Sequence, residues 1–535
     1  MTNTQKSRAR FARPFNEEDE SPLCGISSLE VLLMWTSSSW TMHQSFVDAL
    51  DKANTLVPFT GGSFIESAYP REFFIMRLLN LDPVASLIAP LYSNTMGAPA
   101  KNQMQILRSL ILFGLTIGTT PARTSLTKWV DLLHRNTPLT FLAGCFSPDQ
   151  IPSLGAHYAF IDRLWASNEP FLTRADLLPR NKDEFRRGRP DIGGDGKARE
   201  ENQEKNTEDA AAAILEGRKP APDPEVYLQK ILSLTAVATS ISCGLIQPDN
   251  CILSGDGTAI HAHASYYGHH DRSLPLDSPL RHFSDPDADW GYDSDLEDKY
   301  YGHTLYLFNY RNDDLKVELP VSFKYTSARR HDALNFLFLY SDFRDNDPLL
   351  HPDRFCLDSA HDNYSTYNLL NHDGIIPVID LNMKSPLNAD GLPEGFTYDS
   401  DGNIRCRCNA KMHFSQFDSV KQRNKYRCPF ACGEVDSCPY REQCQKKVTD
   451  YGRSIYVPLP DDIRFNPGIP RNSDEWNDTY RQRTASERVN NRILNDYMLS
   501  SMKIHSTRRY AFFTMVICIV LHMVALCNFF GPANT

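Results

Sequence analysis

The sequence predicts a mixed α/β fold in which the sheet starts antiparallel and a cysteine-rich insertion interrupts the chain late. Three observations predict it. Between Cys251 and Asn382 the apolar runs come in the order strand, strand, strand, helix, strand, helix, strand, which indicates a sheet with covering helices. Residues 44–168 instead carry apolar residues at helical spacing. From 383 to 474 both periodicities fail, and six of the 13 cysteines gather between Cys406 and Cys444.

With 535 residues, the chain is long enough for about three or four domains. An apolar content of 41% and a charged content of 23% are those of ordinary globular protein. The net charge of -10 does not announce a nucleic-acid binder, but the charges are clustered. Asp285, Asp287, Asp289, Asp293, Asp295, Glu297 and Asp298 lie in one acidic segment, and basic runs lie elsewhere. The N-terminus lacks the apolar stretch of a signal peptide, so a reducing compartment is expected.

Residues 1–45 read as a polar N-terminal arm. Residues 46–175 read as a helical region. Within it, Leu126, Trp129, Val130 and Leu133 mark one amphipathic face, and Ser153 is an expected N-cap. Periodicity does not separate a helical bundle from a helix-turn-helix reader of DNA. Residues 176–224 are rich in Arg, Lys, Glu, Asp and Gly and read as a charged linker. Residues 225–382 carry a delivering helix and then the sheet, and residues 475–535 carry the closing helices.

The first strand holds Asp256 between Gly255 and Gly257. A carboxylate in an apolar strand is costly unless it is paired or holds a cation, although Asp-Gly is also a common turn pair. The acidic segment DPDADWGYDSD has the Asp ladder of a calcium loop. Trp290 stands where that loop needs Gly and its closing Glu is missing, so a solvated loop is expected. A short strand, Phe355 to Leu357, ends at Asp358, with Asp362 close behind. Glu487 lies in the first turn of a late helix, where Thr484 offers it a capping-box role. Asp256, Asp358 and Glu487 could converge to hold two Mg²⁺ (or Mn²⁺) ions about 3.5–4 Å apart, the arrangement that cleaves phosphodiesters.

The chain resembles the DDE transposases of bacterial insertion sequences. DGTAIHAHAS is similar to their first-Asp segment, and HTLYLFNY with LPVSFKYTSARRHDALNF to the next two strands and a His-Asp pair, here His331 and Asp332. CLDSAHDNYSTYNLLNHDGIIPVIDLN resembles the second-Asp segment, which favours Asp358 over Asp362. YRQRTASERVNNRIL resembles the catalytic-Glu signature, with Tyr480 and Arg483 seven and four residues before Glu487, where the resemblance implies that they bind DNA or orient the Glu-bearing helix. The family often has Lys seven residues after the Glu; here that position is Leu494, so no phosphate contact is inferred there.

The resemblance covers 245–525 well and the helical region more loosely. It implies an RNase H-like mixed sheet with flanking helices and an all-α N-terminal, DNA-binding domain. Asp256, Asp358 and Glu487 would be the catalytic metal ligands. It also implies double-stranded DNA partners, namely element ends and target, a homodimer in the DNA complex, and a cytoplasmic, nucleoid-associated bacterial protein.

Cys428, Cys432, Cys438 and Cys444 are candidate ligands of a structural zinc, with Cys406 and Cys408 as alternatives. Arg423, Lys425 and Arg427, with Tyr426 and Phe430 interleaved, suit contact with a DNA backbone or make a solvated face. Tyr510 to Phe530 is long and apolar enough to cross a membrane. The family likeness of TRRYAFFTMVICIVLHMVAL favours a buried helix with no membrane contact. A catalytically inactive DNA-binding relative and a tail-anchored membrane protein remain the alternatives. His261 and His263 are not assigned to the site.

Overall fold

The computed structural model describes residues 42–55, 64–92, 100, 102–117, 125–167, 180–181, 196–293, 296–382, 392–399, 403–418, 420–421, 423–444, 449–458, 463–464, 468–471 and 473–531. The expected N-terminal arm lies almost wholly outside them.

A six-stranded mixed sheet forms the centre. Its strands are β1 (Asp249–His261), β2 (Asp289–Asp293), β3 (Asp298–Asn312), β4 (Val317–Ser327), β5 (His351–Leu357) and β6 (Ile376–Ile379). β1 pairs antiparallel with β3, and β3 with both β2 and β4. On its other side β1 pairs parallel with β5, and β5 with β6. The expected strand-and-helix order is therefore present, with one addition. β2 forms inside the acidic segment expected to be a solvated loop. Asp289 is buried there, receiving bonds from Ser327 and Arg329, while buried Asp285 pairs with His303. Asp289 is satisfied on both oxygens, while Asp285 meets His303 through Oδ2 and keeps Oδ1 buried without a hydrogen-bond partner.

The two faces of the sheet follow the pleat. One is covered by α3 (Asp332–Asn346), tied down where buried Lys324 of β4 meets Asp342 of α3. The other is covered by α6 (Thr484–Asn491) and α7 (Thr507–Phe530); α2 (Gly196–Leu215), α4 (Tyr364–His372) and α5 (Asp474–Tyr480) are further helices along the chain. α7 is apolar all round, so it needs cover on every side. Against β4, Tyr325 and Thr514 hydroxyls meet at 2.8 Å. Beyond it lies α1 (Gln103–Ile117), where Phe113 packs edge-on against Phe513. The buried His522 is satisfied on both nitrogens, 2.8 Å from the Ser240 hydroxyl and 2.8 Å from the Pro320 carbonyl. Burial pulls its pKa down to about 4, so it stays neutral.

Three expectations change. The helices of 43–163 do not close around a core of their own; they share one continuous hydrophobic core with the sheet, because α7 draws both against it. No separate all-α N-terminal domain is shown. The segment expected to be a charged linker contains a helix, Gly196–Leu215, whose Ala210, Ala211, Ala213 and Ile214 are buried. Its apolar residues crowd at one end, so no amphipathic stripe announced it. Finally, the cysteine-rich insertion, expected to lack a sheet, holds a three-stranded antiparallel sheet of β7 (His413–Asp418), β8 (Arg423–Arg427) and β9 (Ser454–Pro458), beside a short antiparallel pair, Thr397–Tyr398 with Ile404–Arg405.

The α1–α7 seam is testable. A Cβ on Gly114 would stand 2.8 Å from Val516 Cγ1 and 3.1 Å from Val520 Cγ2. Gly114→Val should lower stability by about 1–3 kcal/mol, the usual cost of overpacking a tight core. Urea unfolding reads this directly; an unchanged or higher midpoint would contradict the seam.

Candidate active site

Asp256 and Asp358 are brought together by strand register. β1 and β5 run parallel, with Leu253 opposite Phe355 and Ser254 opposite Cys356. Beyond the last paired residues, Asp256 continues along β1 and Asp358 follows directly on the end of β5, close enough for their charges to act on one another. Both glycines beside Asp256 are required by close packing on the opposite face. A Cβ on Gly255 would lie 2.8 Å from Leu357 Cδ2, and one on Gly257 only 2.4 Å from Asp332 Oδ1. Asp332, the first residue of α3, thus sits directly over the strand.

Each carboxylate has a protein partner. Asp256 Oδ2 accepts from Asn490 Nδ2 at 3.1 Å. Asp358 Oδ1 accepts from His361 Nδ1 at 2.6 Å and from the Ala360 N–H at 3.1 Å. His361 is buried, and its Nε2 lies 2.7 Å from the buried Tyr306 hydroxyl. Glu487 is turned outward, its side chain 54% exposed, and pairs with Arg483 at 2.8 Å. The structure therefore does not bring Glu487 to the two aspartates; Arg483 stands between, acting on Asp256 and Asp358 as well. Thr484 bonds the Arg481 carbonyl, so the capping box does not form. Asp362 is excluded from the cluster: its carboxylate is buried and saturated by Arg464 and the Asn382 N–H. Tyr480 donates to Asp380 at 3.3 Å, and Arg483 lies over its ring.

α6 is registered on β1 by two rungs. Ser486 donates to Ser254 at 2.7 Å, and Asn490 donates to Asp256. Residues i and i+4 of a helix share a face, as do i and i+2 of a strand, so the two bonds fix both register and rotation. Asn490, His361 and Tyr306 were missed from sequence. Asp358 and His361 form an Asp-x-x-His spacing after a strand, which was a usable signal. Asn490 carried none beyond lying three residues after Glu487. His261 pairs with Asp293 and His263 with the Ser500 carbonyl, which leaves both outside the site.

Electrostatics set the character of the cluster. Desolvation, then the like charges of Asp332 and Asp358, push the Asp256 carboxyl up to about 7. Burial also raises Asp332. Burial works against ionised Asp358, but the His361 hydrogen bond and charge win and hold it below its ordinary range. His361 is raised: burial pulls it down, and the bond to Asp358 with three nearby carboxylates outweighs that. Hard oxygen donors crowded until one keeps its proton fit a divalent cation. So does the Asn490 carbonyl oxygen, buried with no hydrogen-bond partner. Among the described residues no three His, Cys, Asp or Glu side chains are already gathered as a metal-holding group. His361 and Arg483 supply the counter-charge in its place.

The insertion carries the two other sets of candidate residues. Arg423, Lys425 and Arg427 alternate along β8 and share one face, while Asn424 and Tyr426 are buried on the other. Exposed tyrosines brace the cations: Arg423 lies 4.3 Å over Tyr456, Arg427 lies 3.8 Å over Tyr451, and Lys425 donates to the Tyr451 hydroxyl. Asp418 pairs with Arg423. The described cysteines are all free thiols. Cys406, Cys428, Cys438 and Cys444 line one small cavity; Cys432, expected in the set, does not line it, and Cys406 takes its place.

The raised pKa of Asp256 has a measurable consequence. Below about pH 4 the folded and unfolded chains both hold its proton, and nothing is lost. Between about 4 and 7 the unfolded chain ionises first, so stability falls as pH rises; above about 7 the full penalty applies. For this part-exposed group it amounts to the order of 2–4 kcal/mol. In metal-free buffer, Asp256→Asn should melt higher than wild type at pH 8, with the gap closing towards pH 4. Thermal melts at both pH values check this, and a lower-melting variant at pH 8 would contradict it. No protein-family model matches the chain, and neither does any curated protein.

Proposed function

We propose that the chain is a DNA transposase of the DDE type, with an RNase H-like core that cleaves and joins DNA at the ends of an insertion sequence. The observation that carries the reading is Asp256, within β1, brought near Asp358, just past the end of the adjacent parallel strand β5, inside a cluster short of positive charge. An antiparallel start followed by two parallel strands supports the RNase H-like reading.

Asp256 and Asp358 would hold divalent cations, Mg²⁺ or Mn²⁺, with Glu487 joining once it leaves Arg483. When bound, such a pair of ions activates a water or a 3′-hydroxyl and stabilises the leaving oxygen of a phosphodiester. His361 holds the Asp358 carboxylate in one orientation, and Tyr306 holds His361. Asn490 does the same for Asp256. Arg483, paired with Glu487, and Tyr480, bonded to Asp380, border the cluster and would help orient DNA there. The cationic face of β8 would meet the phosphate backbone of the element ends or the target, in a homodimer on DNA. On this reading the protein is cytoplasmic and associated with the nucleoid, and α7 is a core helix with no membrane contact. By length and composition α7 could cross a membrane, yet 89% of its most apolar window is buried within the protein. A structural zinc is treated below.

One observation favours a second reading. Glu487 faces solvent in an ion pair, which suits a DNA-binding relative that has lost catalysis. A nicking assay on DNA carrying the sequences that flank the reading frame separates the two. Asp256→Asn and Asp358→Asn should each abolish Mg²⁺-dependent cleavage while DNA binding persists. Cleavage unchanged in either variant would refute the assignment, and no cleavage by wild type would favour the second reading.

The basic face makes a separate prediction. Replacing Arg423, Lys425 and Arg427 together by Ala should weaken DNA binding across sequences. The slope of log affinity against log salt should shrink by about 2–3, near one unit per lost phosphate contact. An unchanged slope would remove this face from the interface.

A further inference from the structure

We propose that the insertion is a zinc-stapled module in which Cys406, Cys428, Cys438 and Cys444 hold one Zn²⁺. The cavity they line measures about 20 Å³. That admits a single small occupant, since one water needs ~10–15 Å³, and is far below the ~300 Å³ of an organic-ligand pocket. Four cysteines lining a cavity of this size supply the donors of a closed structural zinc site, which the metal would draw together from positions that are not yet gathered as a metal-holding group.

Three further observations converge on it. Four thiolates around Zn²⁺ carry two net negative charges, and two guanidiniums, Arg441 and Arg453, line the same cavity. Arg453 is fixed there, donating to the Cys444 carbonyl at 3.0 Å and lying over the Phe396 ring. The backbone is shaped for the task. Cys406 opens a tight turn through Asn409, whose φ is 60°, and Cys428 opens one through Gly433. Over Cys428 stands Gly452, where a Cβ would be 2.8 Å from Cys428 Cβ.

The third observation is the poverty of the core. Among the described residues the module's own apolar cluster is just Phe396, Ile404, Met412, Tyr426, Ile455 and Val457. Cores this small are usually completed by a metal or disulfides, and the described cysteines form no disulfide.

Cys408 is the near miss. Its sulfur lies 3.1 Å from that of Cys406. Ligands on one tetrahedral zinc stand ~3.8 Å apart, as ~2.3 Å Zn–S bonds require. Cys408 also hydrogen-bonds Cys438, but neither it nor Cys432 lines the cavity, so zinc held there would leave both as unligated thiols. The inference does not depend on the transposase reading, because metal content is measured without DNA.

The test uses the full chain, expressed with zinc and kept reduced. Elemental analysis should find one zinc per chain. Timed alkylation followed by mass spectrometry should show Cys406, Cys428, Cys438 and Cys444 protected, Cys408 and Cys432 modified, and protection lost on chelation. Cys432→Ser should keep its zinc, and Cys406→Ser should lose it. No zinc in the wild type would overturn the proposal. So would protection of Cys432 in place of Cys406, or zinc kept by Cys406→Ser.

Discussion

Negative charge held within an apolar sheet is the constraint on which the rest of the site depends. Asp256 lies between strands that bury Leu253, Leu307 and Phe355, and two other carboxylates press on it. Such a charge must be neutralised by a proton, a protein cation or a metal ion. The surroundings supply the first two in part. His361 balances Asp358, Arg483 lies near both aspartates, and Asp256 is raised towards neutrality. Two rungs from α6 keep the arrangement in register, so the helix that carries Glu487 is indexed to the strand that carries Asp256.

A second constraint explains the reach of the fold. α7 offers no polar face to solvent, and one sheet covers only one side of it. The N-terminal helices supply the other side, with Phe113 and Phe160 meeting Phe513 and Phe512. His522 makes the burial specific, since both its nitrogens need partners and Ser240 and Pro320 provide them. The insertion lacks a comparable apolar element. Its order has to come from aromatic bracing of charged strands and from its cysteines.

What the sequence made legible followed hydrophobic period. The central strands and α3 announced themselves because each buries a regular pattern, and Asp256 and Asp358 stood out as carboxylates in or beside apolar strands. Elements stabilised by something other than a regular apolar pattern were missed. β8 reads RNKYR, where cations hide a strict alternation. The helix at 196–215 buries alanines crowded near its end. Site geometry was harder still. Arg483 and Glu487 are four apart on a helix, the spacing of an ion pair, and that local bond outranked the expected convergence. Only the folded chain shows that Asp358 comes near Asp256 while Asp362 is spent on Arg464. The cysteine set was half legible, since spacing along the chain cannot show that Cys406 folds back to the cavity where Cys432 does not.

The central claim is that the Asp256–Asp358 cluster is built to receive a divalent cation. Manganese binding, followed by electron paramagnetic resonance on the purified chain, tests it most directly. The account predicts that wild type sequesters Mn²⁺, that Mg²⁺ competes, and that Asp256→Asn and Asp358→Asn each lose the tight component. Wild type that leaves all the Mn²⁺ free, or an Asp256→Asn variant that binds as tightly as wild type, would contradict it.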